Sequence, residues 1–250
     1  MRVTWPGSRA TRPLVTKTKT GAVLRAAVLA GLIAGGMASA FHLVLAEPMI
    51  ERAIALDTLA RTEHGGTAET PVVSRPVQKT GLVIGLLFYG LVWGVLFAVV
   101  YLVLESRRGL WDSGTSGWML ALLLGWSVAW FPFLKYPANP PGVGEAATIG
   151  YRQLLYVGFI ALSAAGVAVA FLFHRRAPRP PGIDGRRRLS IVAAYAIYGA
   201  VLYLAMPRNP DSVLMPMSLV WTFRTVSFAG LVVFWVALGG SFTWLTRVRA

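Results

Sequence analysis

The 250-residue chain contains no cysteine. That excludes a disulfide framework, a thiolate metal site and a cysteine nucleophile. Charge is scarce as well: 14% of the residues are charged, with 10 acids against 24 bases, and histidine occurs three times. No hydrolase, kinase, P-loop or zincin motif is present, so the chain carries no nucleotide-hydrolysing loop of that kind. Catalysis would have only scattered polar groups to draw on, and the chain is not expected to be an enzyme. Apolar residues are what the chain has in quantity, at 56% hydrophobic, which places it with membrane proteins. A net charge of +14 invites a nucleic-acid partner, but the Lys and Arg residues do not line one face. They sit in short clusters between long apolar runs, the pattern of loops flanking membrane spans.

A bilayer core about 30 Å thick needs about 20 apolar helical residues to cross it. The sequence predicts an all-α polytopic bundle with six such stretches, at 21–45, 81–104, 117–134, 151–173, 189–206 and 218–245. Ala38-Ser39-Ala40 after a basic, apolar start resembles a signal-peptide cleavage site, and cleavage there would leave five spans. The apolar run continues to Ala46, which favours a retained first span. Basic clusters alternate between sides. The N-terminal tail, Arg107–Arg108, the run from Arg175 to Arg188 and the C-terminus share one side. The connections 46–80, 135–150 and 207–217 are poorer in base or balance it with acid. The expected topology puts both termini in the cytoplasm of a bacterium, with the chain multi-pass in its inner membrane. Residues 1–20 then form a basic extension and 21–246 a single membrane domain in contact with lipid.

Glycines four apart (Gly31 and Gly35, Gly81 and Gly85, Gly90 and Gly94) suit close helix packing in lipid. Pro48 predicts a break, with Glu47 extended and a new helix starting at the proline. After it, Met49, Ile50, Ala53, Ile54 and Ala60 recur at helical spacing, while Glu51, Arg52 and Asp57 fall mostly elsewhere. That reads as a short amphipathic helix on the external membrane surface, followed by a polar loop.

Few residues offer chemistry. His42, Glu47, Glu51 and His64 are the candidate metal ligands, since imidazole with carboxylates makes an N/O site for a divalent transition metal. The bland alternative is an interfacial His42 bonded to backbone and a solvated His64. Arg224 lies inside the last apolar run, where a charge needs water or a partner. A structural clamp to Glu47 or Glu51 is the favoured expectation, ahead of a gate or an anion site. The stretch FPFLKYPANPPGVGE, 131–145, ends the third span with Lys135 and Tyr136 and then Pro137, Asn139, Pro140 and Pro141. Three prolines remove three backbone donors and stiffen the turn. It reads as a rigid clip, with the rim of a metal path as the alternative.

Several of these pieces occur together in a distinctive order. Glu47-Pro48-x-Ile50-x-x-Ala53-Ile54 follows the first span, and Ser74-Arg75-x-Val77-Gln78 opens the second. Lys135-Tyr136-Pro137-Ala138-Asn139-Pro140-Pro141 precedes Thr148-Ile149-Gly150-x-Arg152, and Phe223-Arg224-x-x-Ser227 lies in the last. From about residue 22 to about residue 245 the chain resembles the CbtA family, the predicted membrane subunit of a cobalt transporter. The resemblance implies cobalt uptake linked to cobalamin supply, with Co²⁺ as the transported ion rather than a resident cofactor. It also implies a small single-span partner of the CbtB type with a His-rich terminus. This chain departs from the pattern in its basic N-terminal extension, in carrying only His64 in the first external loop, and in having six spans where the family is described with five. Two functions follow: a divalent-metal permease subunit, or a non-transporting scaffold that anchors or assembles a partner permease. Assembly of copies of the chain with one another stays open in both.

Overall fold

The computed structural model describes residues 17–63, 73–106, 116–176, 184–211, 213 and 215–247. His64 and most of the N-terminal extension therefore lie outside the described residues. The secondary structure is helical: α1 (Lys17–Phe41), α2 (Glu47–Glu63), α3 (Arg75–Ser106), α4 (Ser116–Gly125), α5 (Phe131–Lys135), α6 (Ile149–Arg176), α7 (Asp184–Ala205) and α8 (Met217–Arg247). Among the described residues six helical stretches are long and apolar enough to cross a membrane. They are α1 with α2, α3, α4 with α5, α6, α7 and α8. The chain is an all-α, multi-pass membrane protein.

The centre of the bundle is α1, because one of its faces is nearly all alanine. Ala26, Ala30, Ala34 and Ala38 recur every fourth residue and are each at most 1% exposed. Small side chains let two neighbours come close, and α1 packs between α3 and α8. The α1–α3 contact is made backbone to backbone. A Cβ on Gly31 would fall 2.0 Å from the Gly90 carbonyl oxygen, and one on Gly90 would fall 2.1 Å from that of Gly31. Gly35 faces the Leu86 carbonyl and Gly94 that of Ala27 in the same way. Gly81 and Gly85 differ, with nothing within 4 Å of an added Cβ. The four-residue spacing therefore marks packing for two of the three glycine pairs. Gly85 adjoins Leu86 along α3, so it differs from Gly90 in the helix face it occupies and not in its height.

The helix does not break at Pro48. Glu47 is helical (φ −59°, ψ −42°), not extended, and α1 runs into α2 through one π-turn over His42–Ala46. Glu47 gives its N–H to the His42 carbonyl five residues back. That wider turn relieves the clash between a proline ring and the carbonyl four residues earlier. The same solution appears in the third span. A π-turn over Trp126–Trp130 precedes Phe131-Pro132, and Phe131 donates to the Trp126 carbonyl. Both π-turns pack against α8. The 25 residues of α1 rise about 37 Å, enough to cross the hydrocarbon, so the charge-rich α2 projects beyond it. Ala53 is its fully buried residue.

Around α8 the aromatic core closes. Trp235, Phe234 and Phe242 are each 1% exposed and meet Trp93, Tyr89 and Phe97 of α3 at centroid distances of 4.9, 4.9 and 5.0 Å. On its other side α8 packs on α4. A smaller cluster of Phe131, Phe159 and Leu202 joins α5, α6 and α7. The continuous α1–α2 helix runs antiparallel to α3, which two ion pairs mark. Lys19 Nζ lies 2.6 Å from Glu105 Oε1 at one end, and Glu47 pairs with Arg75 at the other.

Candidate functional site

The polar residues singled out in the sequence gather on the face where α1 ends, α3 begins, α5 ends and α8 begins. They form two groups there.

The first joins α2 to α3. Glu47, 6% exposed, accepts a hydrogen bond from Arg75, and Arg75 also donates to the Gln78 side chain. Lys79 reaches both carboxylates, 2.7 Å from Glu51 and 3.8 Å from Glu47. Two acids and two bases thus share one cluster, which is how a buried carboxylate is tolerated. One helical turn before Glu47, His42 packs edge-on to Phe41 and lies over Gly230 of α8. A Cβ on Gly230 would fall 2.3 Å from His42 Nε2. The glycine is the space that the imidazole occupies.

The second group is the proline-ruled loop. Lys135 donates to the Tyr203 carbonyl at 2.6 Å and sits 4.9 Å over that tyrosine's ring. Tyr136 donates to the Pro207 carbonyl at 2.7 Å, and burial, with Tyr151 adding to it, pushes the phenol's pKa up. Asn139 Oδ1 accepts a 2.8 Å bond from Arg224, whose guanidinium lies 5.4 Å over the Trp221 ring. Pro140 is fully buried, whereas Pro141 is exposed. The turn after them needs glycine twice, at Gly142 (φ +82°) and Gly144 (φ +110°). Gly142 lies against Asp57 of α2 and Met215, and Gly144 against the Arg152–Asp211 ion pair. In that pair Arg152 Nε is 2.9 Å from Asp211 Oδ2. Thr148 donates to the other Asp211 oxygen at 2.6 Å, and Arg152 donates to the Glu145 carbonyl at 3.1 Å. Tyr136, Asn139, Arg152 and Asn209, with Ile149 and Leu155, line a cavity of mixed character and about 370 Å³ beside the loop.

The expected acid clamp on Arg224 is not what forms. Its partner is the Asn139 amide, and among the described residues it has no carboxylate, because Glu47 and Glu51 are already engaged by Arg75 and Lys79. Lys135, Glu47 and Arg224 bond to three different elements. Among the described residues no three His, Asp or Glu side chains come together as a metal cluster. Not foreseen were the place of Gly230, the role of Asp211, and the pairings of Glu47 with Arg75 and of Glu51 with Lys79. A signal for the last was present, since 46–80 nearly balances its bases with acids. Asp211 was visible as the one acid in its connection. Gly230 carried no signal, because any glycine of a membrane helix looks the same until its neighbour is known.

The fold and this face define a six-span helical membrane protein with a polar, ion-paired end built by short connections. A family model described as "Probable cobalt transporter subunit (CbtA)" matches residues 20–247, and the chain belongs to that family. No curated protein and no solved structure matches it.

Proposed function

We propose that the chain is the membrane subunit of an uptake system for Co²⁺ or a similar divalent transition metal, serving cobalamin supply. The observation that carries this reading is membership of the CbtA family over 20–247. The basic connections fall on the side of both termini, which supports a cytoplasmic position for that side and an external one for the polar face. On that face we assign metal access to His42, Glu47 and Glu51, with His64 of the following segment as a further ligand. Lys79 bridges the two carboxylates, so a dication would take the place of its ammonium group there. Imidazole and carboxylate suit Co²⁺, and by intrinsic affinity suit Ni²⁺ or Cu²⁺ at least as well. The proline-ruled loop is assigned the role of a clip. Arg224 beside it has no carboxylate among the described residues, and an uncompensated guanidinium repels a cation. A small single-span partner of the CbtB type would complete the transporter.

The scaffold reading is favoured by one observation: no closed metal cluster occurs among the described residues. Liposomes separate the two. Purified chain with the small partner should carry Co²⁺ across the membrane, with less flux for His42→Ala. Absence of flux from the pair, with the chain still inserted, would establish the scaffold instead.

A further inference from the structure

On the side of the basic connections, α6 and α7 part to leave an apolar groove of about 790 Å³. Its walls include Ala165, Val169, Phe173, Ile191 and Ala194, and its mouth carries Arg186 and Arg187. The groove extends from Arg186 to Tyr198, 12 residues of α7 and therefore about 18 Å, close to the depth of one bilayer leaflet. Its volume lies within the range of ordinary small-ligand sites, about 300–1,000 Å³.

The charges fix the occupant's chemistry. Phe173 lies 21 residues beyond Arg152, whose ion pair marks the opposite polar face, so a rise of about 31 Å brings the mouth to headgroup depth. Arg187 donates to the Phe173 carbonyl at 3.2 Å and to that of His174, which holds it across the end of α6. Arg186 is exposed, and among the described residues it has no carboxylate partner. A guanidinium at headgroup depth above an apolar slot one leaflet long suits a phosphodiester with an acyl chain below it. A peptide helix in the groove would leave that charge unanswered unless it brought an acid.

We propose that this groove binds an anionic diacyl phospholipid of the leaflet on the basic side. Arg186 holds the headgroup phosphate, Arg187 lends charge from its fixed position, and one acyl chain lies along Val169, Ile191 and Ala194. The site is separate from the polar face assigned to metal and does not depend on what is transported.

The test uses the full chain purified in detergent and titrated with phosphatidylglycerol or phosphatidylcholine, with bound lipid counted by native mass spectrometry. Wild type should hold phosphatidylglycerol at least about fivefold more tightly than phosphatidylcholine, the contribution of roughly one arginine at a membrane surface. Arg186→Gln should reduce phosphatidylglycerol binding to the phosphatidylcholine level. Ala194→Phe, which fills the slot and leaves the charge, should lower binding of both. Equal retention of the two lipids by wild type, or an unchanged preference in Arg186→Gln, would overturn the proposal. So would a cross-link from Ala194→Cys to the same position of a second copy, since the groove would then be a protein interface.

Discussion

Arg224, inside the last membrane helix, donates a 2.8 Å hydrogen bond to Oδ1 of Asn139, 85 residues earlier in a loop outside the hydrocarbon. One bond thus joins the only charge of that apolar stretch to a turn stiffened by Pro137, Pro140 and Pro141. The turn in addition holds α7 through Lys135 and Tyr136, and touches α2 at Gly142 and the Arg152–Asp211 pair at Gly144. A rigid connection that touches so many helices sets where their ends sit.

The Arg224–Asn139 bond should appear as coupling in a double-mutant cycle. Bonds to a charged group contribute about 1.5–3 kcal/mol, so Arg224→Gln and Asn139→Ala together should destabilise by about that much less than the sum of the two. Arg224→Gln and Glu47→Gln should be additive, because those side chains have separate partners. Thermal unfolding in detergent measures both cycles. Coupling of Arg224 to Glu47 with none to Asn139 would restore the acid clamp expected from sequence.

The glycine contacts of α1 and α3 predict a sharp difference between residues of one type. Gly31→Ala places a Cβ against a backbone carbonyl that has no rotamer to escape into. Overpacking costs about 1–3 kcal/mol, and the loss should fall at the upper end of that range. Gly85→Ala meets nothing and replaces a poor helix former, so stability should hold or rise by up to about 1 kcal/mol. Melting temperatures of the two variants, taken in the same detergent, decide it.

Glu47 and Glu51 should separate in the same way. Glu47 is buried, and its loss strands Arg75, itself about one-third exposed; Glu47→Ala should cost roughly 3 kcal/mol, the low end for breaking a buried pair. Glu51 is exposed, and Glu51→Ala should melt with wild type within error. Equal losses would mean that burial does not distinguish the two carboxylates.

His42 is tested without touching it. Gly230→Ala intrudes on the imidazole, so it should lower cobalt uptake about as much as His42→Ala does, by tenfold or more, with membrane insertion retained. Gly230→Ala with unchanged uptake, alongside an inactive His42→Ala, would separate the ring's position from its role.

These residues also show where sequence reasoning holds and where it stops. Span positions were legible because each depends on one long apolar run and a few charges around it, and the structure lengthens them by a few residues. Pro48 misled, because the rule that proline ends a helix assumes an α-turn before it, and here a π-turn takes that place. Gly31 and Gly85 look alike in sequence and differ only in what stands opposite. The partner of Arg224 was unreadable for a similar reason. Sequence favours an acid for a base, but Glu47 and Glu51 are used by Arg75 and Lys79 and Asp211 by Arg152, and an amide from a rigid loop meets the guanidinium instead.

Whether the chain carries cobalt into the cell is read from cobalt uptake itself. Cells lacking the chain would be compared at limiting radioactive cobalt with cells restored by wild type or by His42→Ala. Deletion should abolish high-affinity accumulation, wild type should restore it, and His42→Ala should restore less than about one-tenth of it. Equal accumulation with and without the chain would contradict a role in uptake.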